Sequence, residues 1–367
     1  MMTRKAFIGS AAVLAAASLA YGFRSTQSSD ENYEIATRET WRRADVPIAS
    51  DALLKRELVR YATLAPSSHN TQCWKFRIEQ SSISILPDLS RRCPAVDPDD
   101  HHLFVSLGCA AENLLQAAGA HGLSAQPDFD PATGEIAVAL RASTPFASPL
   151  FQAVTERQCT RSEFDGTAIS PEELRALEQA GAGNGVQLIL LTGKKVIEEI
   201  LEYVVAGNSA QIADHAFVDE LKAWIRFGKD EAVRTRDGLF SGSSGNASMP
   251  RWMGSRLFDM FFIAKSENEK CAKQLRSSAG VAVFLSESDD KAHWIEAGRC
   301  YQRFALQATA LGIRNALINQ PVEVAALRPQ LAAHLGIGSR RPDLIARFGR
   351  GPVMPRSLRR PIDDVLS

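Results

Sequence analysis

The chain has 367 residues, 45% hydrophobic and 23% charged, enough to bury a large core. Its 42 Lys and Arg offset its 42 Asp and Glu, so there is no basic excess for a nucleic-acid partner and no charged tail for electrostatic capture. Six scattered cysteines form no C-x-x-C pair, so neither a zinc site nor a thioredoxin-like motif is supported.

Residues 1–22 read as an export segment. Arg4 and Lys5 precede an apolar, Ala-rich run from Gly9 to Ala20, and Ser18-Leu19-Ala20 offers small residues for cleavage. Thr3-Arg4-Lys5-Ala6-Phe7-Ile8 resembles a bacterial-type twin-arginine signal, with Lys5 in the second arginine position. An uncleaved membrane anchor is the alternative, although the run is short for a full span, and a buried N-terminal helix is a third reading. The first two readings expect an exported protein, periplasmic or membrane-anchored facing outward. Residues 23–44, rich in Ser and charge, read as a linker.

A first α+β half is expected over 45–147. Leu54, Leu58, Tyr61 and Leu64 recur at helical spacing. The run Pro66-Ser67-Ser68-His69-Asn70-Thr71-Gln72 follows, then strand patterns over 74–79 and 83–86. That run presents hydroxyls, backbone N–H groups and two carboxamides at a helix–strand junction. Asn70 and Gln72 each pair a donor with an acceptor, which suits the edge of a flat polar heterocycle. A long buried helix is expected over 101–121, and a strand over 135–141. His101 and His102 are adjacent, so they are expected on different sides of it as surface or capping residues.

The pattern then restarts over 148–352. A helix ends within 151–158, and Ser170-Pro171-Glu172-Glu173 is a capped helix start. Strands are expected over 186–192, 281–286 and 343–348, with helices over 196–227, broken near Gly207, and 293–311. Arg157 and Arg161 share a face if their segment is helical, where two guanidiniums can clamp a phosphate. The stretch 235–262 mixes Gly and Ser with Trp252, Met253 and Phe residues, and reads as a lid loop over a pocket. A C-terminal tail covers 353–367.

Residues 65–74 resemble the Ala-Pro-Ser-Ser-x-Asn-x-Gln-Pro-Trp signature of the nitroreductase family, with Cys73 in place of Pro. Arg157-Gln158-Cys159-Thr160-Arg161 is similar to that family's Arg-x-Ser-x-Arg motif, with Cys159 for Ser. The segment Asn315 to Pro321, with Leu317, resembles its loop over the flavin ring, and Pro342 to Gly351 its closing strand. The resemblance implies an FMN site. Pro66, Ser67, Ser68, Asn70 and Gln72 would hold the ring. Arg157, Cys159, Arg161 and either Arg347 or Arg350 would hold the phosphate. The ring motif precedes the arginines by about ninety residues, the reverse of the family's order. That reversal resembles the Acg-like branch, single chains that mimic the family's dimer and carry a covering insertion.

The fold class expected is therefore α+β and nitroreductase-like, with largely antiparallel sheets flanked by helices in two fused, related halves. Two functions follow from the resemblance. One is an FMN oxidoreductase passing electrons to a small-molecule acceptor such as a nitro compound or quinone, with no catalytic side chain and no metal. The other is a lidded protein that sequesters FMN. Either is expected as a monomeric pseudo-dimer or as a homodimer.

Overall fold

A computed structural model describes residues 28–44, 48 and 50–367; the export segment lies outside them. Helix α1 covers 28–40 and α2 Asp51–Thr63, the latter capped by the Ser50 hydroxyl, which accepts from Leu53 N. Strands β1 (Trp74–Ile78) and β2 (Ser82–Pro87), helix α3 (His101–Ala120) and strands β3 (Leu123–Asp130) and β4 (Glu135–Ala142) complete the first half. The second runs through α4 (Pro149–Ala153), α5 (Pro171–Gly181) and β5 (Val186–Leu191). It continues through α6 (Lys194–Ala213), α7 (His215–Trp224), β6 (Ile225–Arg226), α8 (Lys229–Thr235), β7 (Leu239–Phe240), α9 (Arg251–Phe261) and α10 (Ala264–Arg276). It closes with β8 (Gly280–Ser286), α11 (Lys291–Ala310), β9 (Arg314–Leu317) and β10 (Arg341–Gly349). The expected capping box is present at Ser170 and Glu173.

The two halves share one topology. The first sheet has the order β1-β2-β4-β3 and the second β5-β8-β10-β9, and every neighbouring pair is antiparallel. In sequence each reads helix, two strands, long helix, two strands. The long helices α3 and α11 cross at the centre through two glycines. A Cβ on Gly108 would lie 2.0 Å from the Ile295 carbonyl oxygen, and one on Gly298 would lie 2.0 Å from that of Val105. Each glycine thus rests on the residue three before the other, as a two-fold relation between the helices requires. Val105, Leu107, Cys109, Ile295, Ala297 and Cys300 from both helices belong to one hydrophobic core.

Several expectations need correction. Residues 28–40 are not linker but helix, with Tyr33 and Ala36 packed on Ala232, Phe240 and Leu358. Helix α6 runs unbroken past Gly207, because that glycine lets the backbone of Gln320 approach; the break falls at Asp214, which caps α7. Residues 154–162 are not helical, so Arg157 and Arg161 share no helix face. The tail 353–367 is an arm on the first half, where Ser367 N donates to Phe76 O (2.9 Å). Strand β3 gave no usable signal in the sequence, since Gln126, Pro127 and Asp128 blur its alternation.

The largest departure is the covering insertion. It is not a loop over 235–262 but an excursion spanning 192–279, from α6 to α10, placed between β5 and β8 where the first half has only residues 79–81.

Candidate active site

The loop between α2 and β1 takes its shape from strained backbone. His69, Asn70 and Gln72 adopt φ of 47°, 54° and 54°, in the left-handed region that side chains other than Asn and Asp rarely enter. Contacts from two distant segments hold it there. Asn70 Nδ2 donates to the carbonyls of Gly238 (2.9 Å) and Leu358 (3.2 Å). Gln72 Nε2 donates to Arg236 O (2.9 Å), and its Oε1 accepts from Arg360 N (2.8 Å). Ser67 Oγ accepts from Gln72 N (2.9 Å). Both carboxamides expected to face a ligand are therefore spent on tying the loop to the excursion and the C-terminal arm.

The carbonyls that end α2 have no helical partner, and two buried arginines satisfy them. Arg157 Nη2 donates to Leu64 O (3.0 Å), while Arg359 donates to Thr63 O (2.8 Å) and Ala65 O (3.0 Å). Cations are favourable at a helix C-terminus. Arg157, expected in a phosphate clamp, thus positions the loop, although its Nε and Nη1 are buried with no partner.

What the loop turns inward is Pro66, Ser67, Ser68 and His69. These line a cavity of about 610 Å3 shared by both halves and the excursion. Leu317, Tyr301 and Asn319 stand on its second-half side, and Asn208 and Gln211 of α6 on another. Phe217, Phe227, Phe240 and the Leu257, Phe258 and Phe261 face of α9 form an apolar wall. Trp252 and Met253, expected in the lid, do not line it; α9 turns them outward.

Arg161 joins this cavity to a smaller one of about 380 Å3, lined by Ser162, Glu163, Ser244, Ser266, Glu269, Lys270, Lys273 and Gln274. Its charge reaches the loop. Burial, with Arg161 second, pushes the His69 imidazole down to about 4, so His69 is neutral at neutral pH. Arg347 is buried beneath and touches neither cavity. It donates to Thr160 O (3.0 Å) and Ser162 O (2.7 Å), fixing the segment that carries Arg161. Cys159 pairs with Asn315 of β9, which aligns the same segment. Arg350 lies apart, bonded to Leu311 O (3.1 Å) and Glu173 (2.7 Å).

The histidine pair was misplaced by the sequence reading. His101 and His102 are both buried, with Nδ1 atoms 3.2 Å apart. His101 Nε2 meets Asp343 (2.9 Å), and His102, which lines the cavity, meets Asn319 (3.1 Å) and Asp97 (3.5 Å). Burial alone would lower both. The hydrogen bond and charge of Asp97 instead hold His102 above its ordinary value, while burial and the neighbouring His102 depress His101. Burial raises Asp343 to about 7. Tandem histidines opening a helix after an acidic stretch were the available signal.

No family profile matches the chain. It is 25% identical over 329 residues to "Putative NAD(P)H nitroreductase MT3217" of Mycobacterium tuberculosis strain CDC 1551, covering 86% of this chain and 92% of the relative. It is 22% identical over 350 residues to "Putative NAD(P)H nitroreductase acg" of the same organism, covering 88% and 97%. Among solved structures, a "putative nitroreductase" of Anabaena variabilis aligns with a TM-score of 0.47 at 10% identity, covering 86% of this chain and 91% of that one. An FMN-bound nitroreductase of Desulfitobacterium hafniense aligns at 0.38 and 14%, covering 60% and 98%. The chain is nitroreductase-like over most of its length.

Proposed function

We propose that this nitroreductase-like chain is an FMN oxidoreductase that passes electrons to a small-molecule acceptor such as a nitro compound or quinone. The observation that carries the reading is the donor set around the Arg161 segment. Ser162 Oγ is buried without a partner and the Arg161 side chain forms no hydrogen bond or ion pair among the described residues, and both line the smaller cavity beside Lys270 and Lys273. Buried polar groups are nearly always satisfied, and a cluster of unsatisfied donors calls for an acceptor-rich anion. The smaller cavity, with Arg161, Ser162, Lys270 and Lys273, fits a phosphate. The larger, at about 610 Å3, lies within the range of cofactor pockets.

Bound there, FMN would supply the hydride or single-electron chemistry. Arg161 and the two lysines would hold its phosphate. The backbone of Pro66 to Ser68 and the Leu317 side chain would contact the ring. Asn70, Gln72 and Arg157 would keep the loop in its strained form, and the phenylalanine wall would exclude water from the reacting face. The relatives named as NAD(P)H nitroreductases support a nicotinamide reductant, and the N-terminal segment supports export; an exported chain would need another electron donor. The excursion over the cavity favours a second reading, an FMN-sequestering protein.

Purified protein should show flavin absorbance at one FMN per chain. Reduction with dithionite followed by a quinone or nitroaromatic then separates the readings. Fast reoxidation by the acceptor supports the oxidoreductase, a flavin indifferent to acceptors supports sequestration, and a chain that cannot be loaded with FMN refutes both.

A further inference from the structure

Helix α9 has a face that the fold leaves uncovered. Trp252 and Met260 are each 64% exposed, Phe261 60% and Ile263, just beyond the helix, 51%; Met253 and Leu257 are exposed too. At 3.6 residues per turn these side chains fill about half the circumference, while Gly254 and Phe258 point inward. Soluble proteins rarely leave so many large apolar side chains contiguous. The only charge within the arc is Arg256, whose guanidinium lies over the Trp252 ring (5.9 Å). Lys265 follows just beyond its end, Arg251 at its start turns inward to Ile225 O (2.6 Å), and the one acid at its edge, Asp259, is paired with Lys222 (2.6 Å). An apolar arc carrying Trp and Phe and fringed by basic residues is the composition of a helix lying in a membrane interface.

The path of the chain points the same way. The described part of helix α1 starts at residue 28, and Asp30 is paired with Lys229 at the start of α8 (2.8 Å). Lys229 N donates to the Ser248 hydroxyl (3.1 Å), two residues before the proline that opens α9, and Arg251 pairs with Glu231 of α8. The first described turn of α1 therefore sits beside the start of α9.

We propose that α9 docks this protein on an anionic lipid surface, with Trp252, Met253, Met260 and Phe261 entering the interface and Arg256 and Lys265 meeting headgroups. The docking holds whether residues 9–20 are retained or removed. Leu257 and Phe261 are both exposed and part of the cavity wall, so the docked face is also the rim of the cavity. An acceptor dissolved in lipid would then enter directly. That consequence alone rests on the oxidoreductase reading.

The test reads Trp252 and needs no flavin. Trp41, Trp74 and Trp294 are buried and Trp224 half-buried, so Trp252 is the indole free to meet lipid. The full chain is mixed with phosphatidylglycerol vesicles brominated in their acyl chains, and tryptophan emission is recorded. The expected result is quenching that falls at least threefold in Trp252→Phe and in Met253→Ser with Met260→Ser, all with unchanged circular dichroism. Quenching that is absent, that survives Trp252→Phe, or that is as strong on phosphatidylcholine overturns the proposal. So does a dimer in solution that shields Trp252 from the bromines.

Discussion

Replacing Arg161 with alanine isolates the anion-binding end of the site from the stability of the fold. The Arg161 side chain has no hydrogen bond or ion pair among the described residues, its backbone carbonyl alone accepting from Gln274 Nε2 (2.7 Å), and it lines both cavities. Its removal costs the folded protein no side-chain hydrogen bond or ion pair, so stability without flavin should stay within about 0.5 kcal/mol, as for ordinary surface changes. Its partner is the proposed phosphate, and a charge-assisted hydrogen bond is worth about 1.5 to 3 kcal/mol. At about 1.4 kcal/mol per tenfold, FMN should bind roughly 10- to 150-fold more weakly. Riboflavin has the same ring and no phosphate, so its affinity should change little. Flavin fluorescence titrations of both ligands, with urea unfolding of the flavin-free protein, give the three numbers. Equal loss for FMN and riboflavin would place Arg161 at the ring. Unchanged FMN affinity would remove it from the site, and a fall in stability would show an internal partner.

The remaining predictions concern the frame around that end. Gly108→Ala or Gly298→Ala pushes a methyl into a helix carbonyl across the central crossing, and urea unfolding should show a loss of at least about 2 kcal/mol, since neither backbone can yield alone. Asn70→Ala leaves the Gly238 and Leu358 carbonyls short of a donor at a left-handed residue; each hydrogen bond is worth about 1 kcal/mol and the backbone penalty about the same, so the loss should approach 3 kcal/mol, with flavin retention falling alongside. Asp343 sits at about 7 when folded, above its unfolded value near 4, so the folded state holds the extra proton and this group favours folding most at low pH. Its contribution should fall from pH 4 to 7, and the stability difference between wild type and Asp343→Asn, measured across that window, should move in favour of the variant; a flat difference would show that Asp343 ionises normally.

What the sequence made legible was local. Apolar spacing located α2 and α3, the capping box at Ser170 placed the start of α5 within a residue, alternation found β4, and runs of strand formers located β1 and β8. The ring-side loop was also visible, because Pro, Ser, Asn and Gln crowd a helix–strand junction. What those side chains do was not. Asn70 and Gln72 carry the groups that suit a heterocycle, but the carbonyls that claim them belong to residues 236–238 and 358–360, remote in sequence. Arg157 and Arg161 looked alike at a spacing of four. Only the non-helical path between them sends one beneath the α2 C-terminus and the other into the cavity. The excursion was under-read because α6, α7 and α10 are ordinary amphipathic helices, and nothing local marks them as inserted.

The shared topology of the halves sharpens why a single site is expected in each chain. A two-fold frame built from helix, two strands, helix, two strands offers two equivalent places for a helix–strand loop. In the first half that junction spans residues 64–73, long enough to hold three left-handed residues against the arm and the excursion. In the second, α5 ends at Gly181 and β5 begins at Val186, and the intervening turn closes on itself through Gly183 and Val186. It has no length to reach a ligand and no carboxamide pair tied to distant carbonyls. The excursion then enters after β5, so in the proposed site the half that lacks a ring loop would supply both the cover and, through Arg161, Lys270 and Lys273, the anion end. Fusing the halves lets their roles diverge: one half specialises in strained backbone held from outside, the other in unpaired cations.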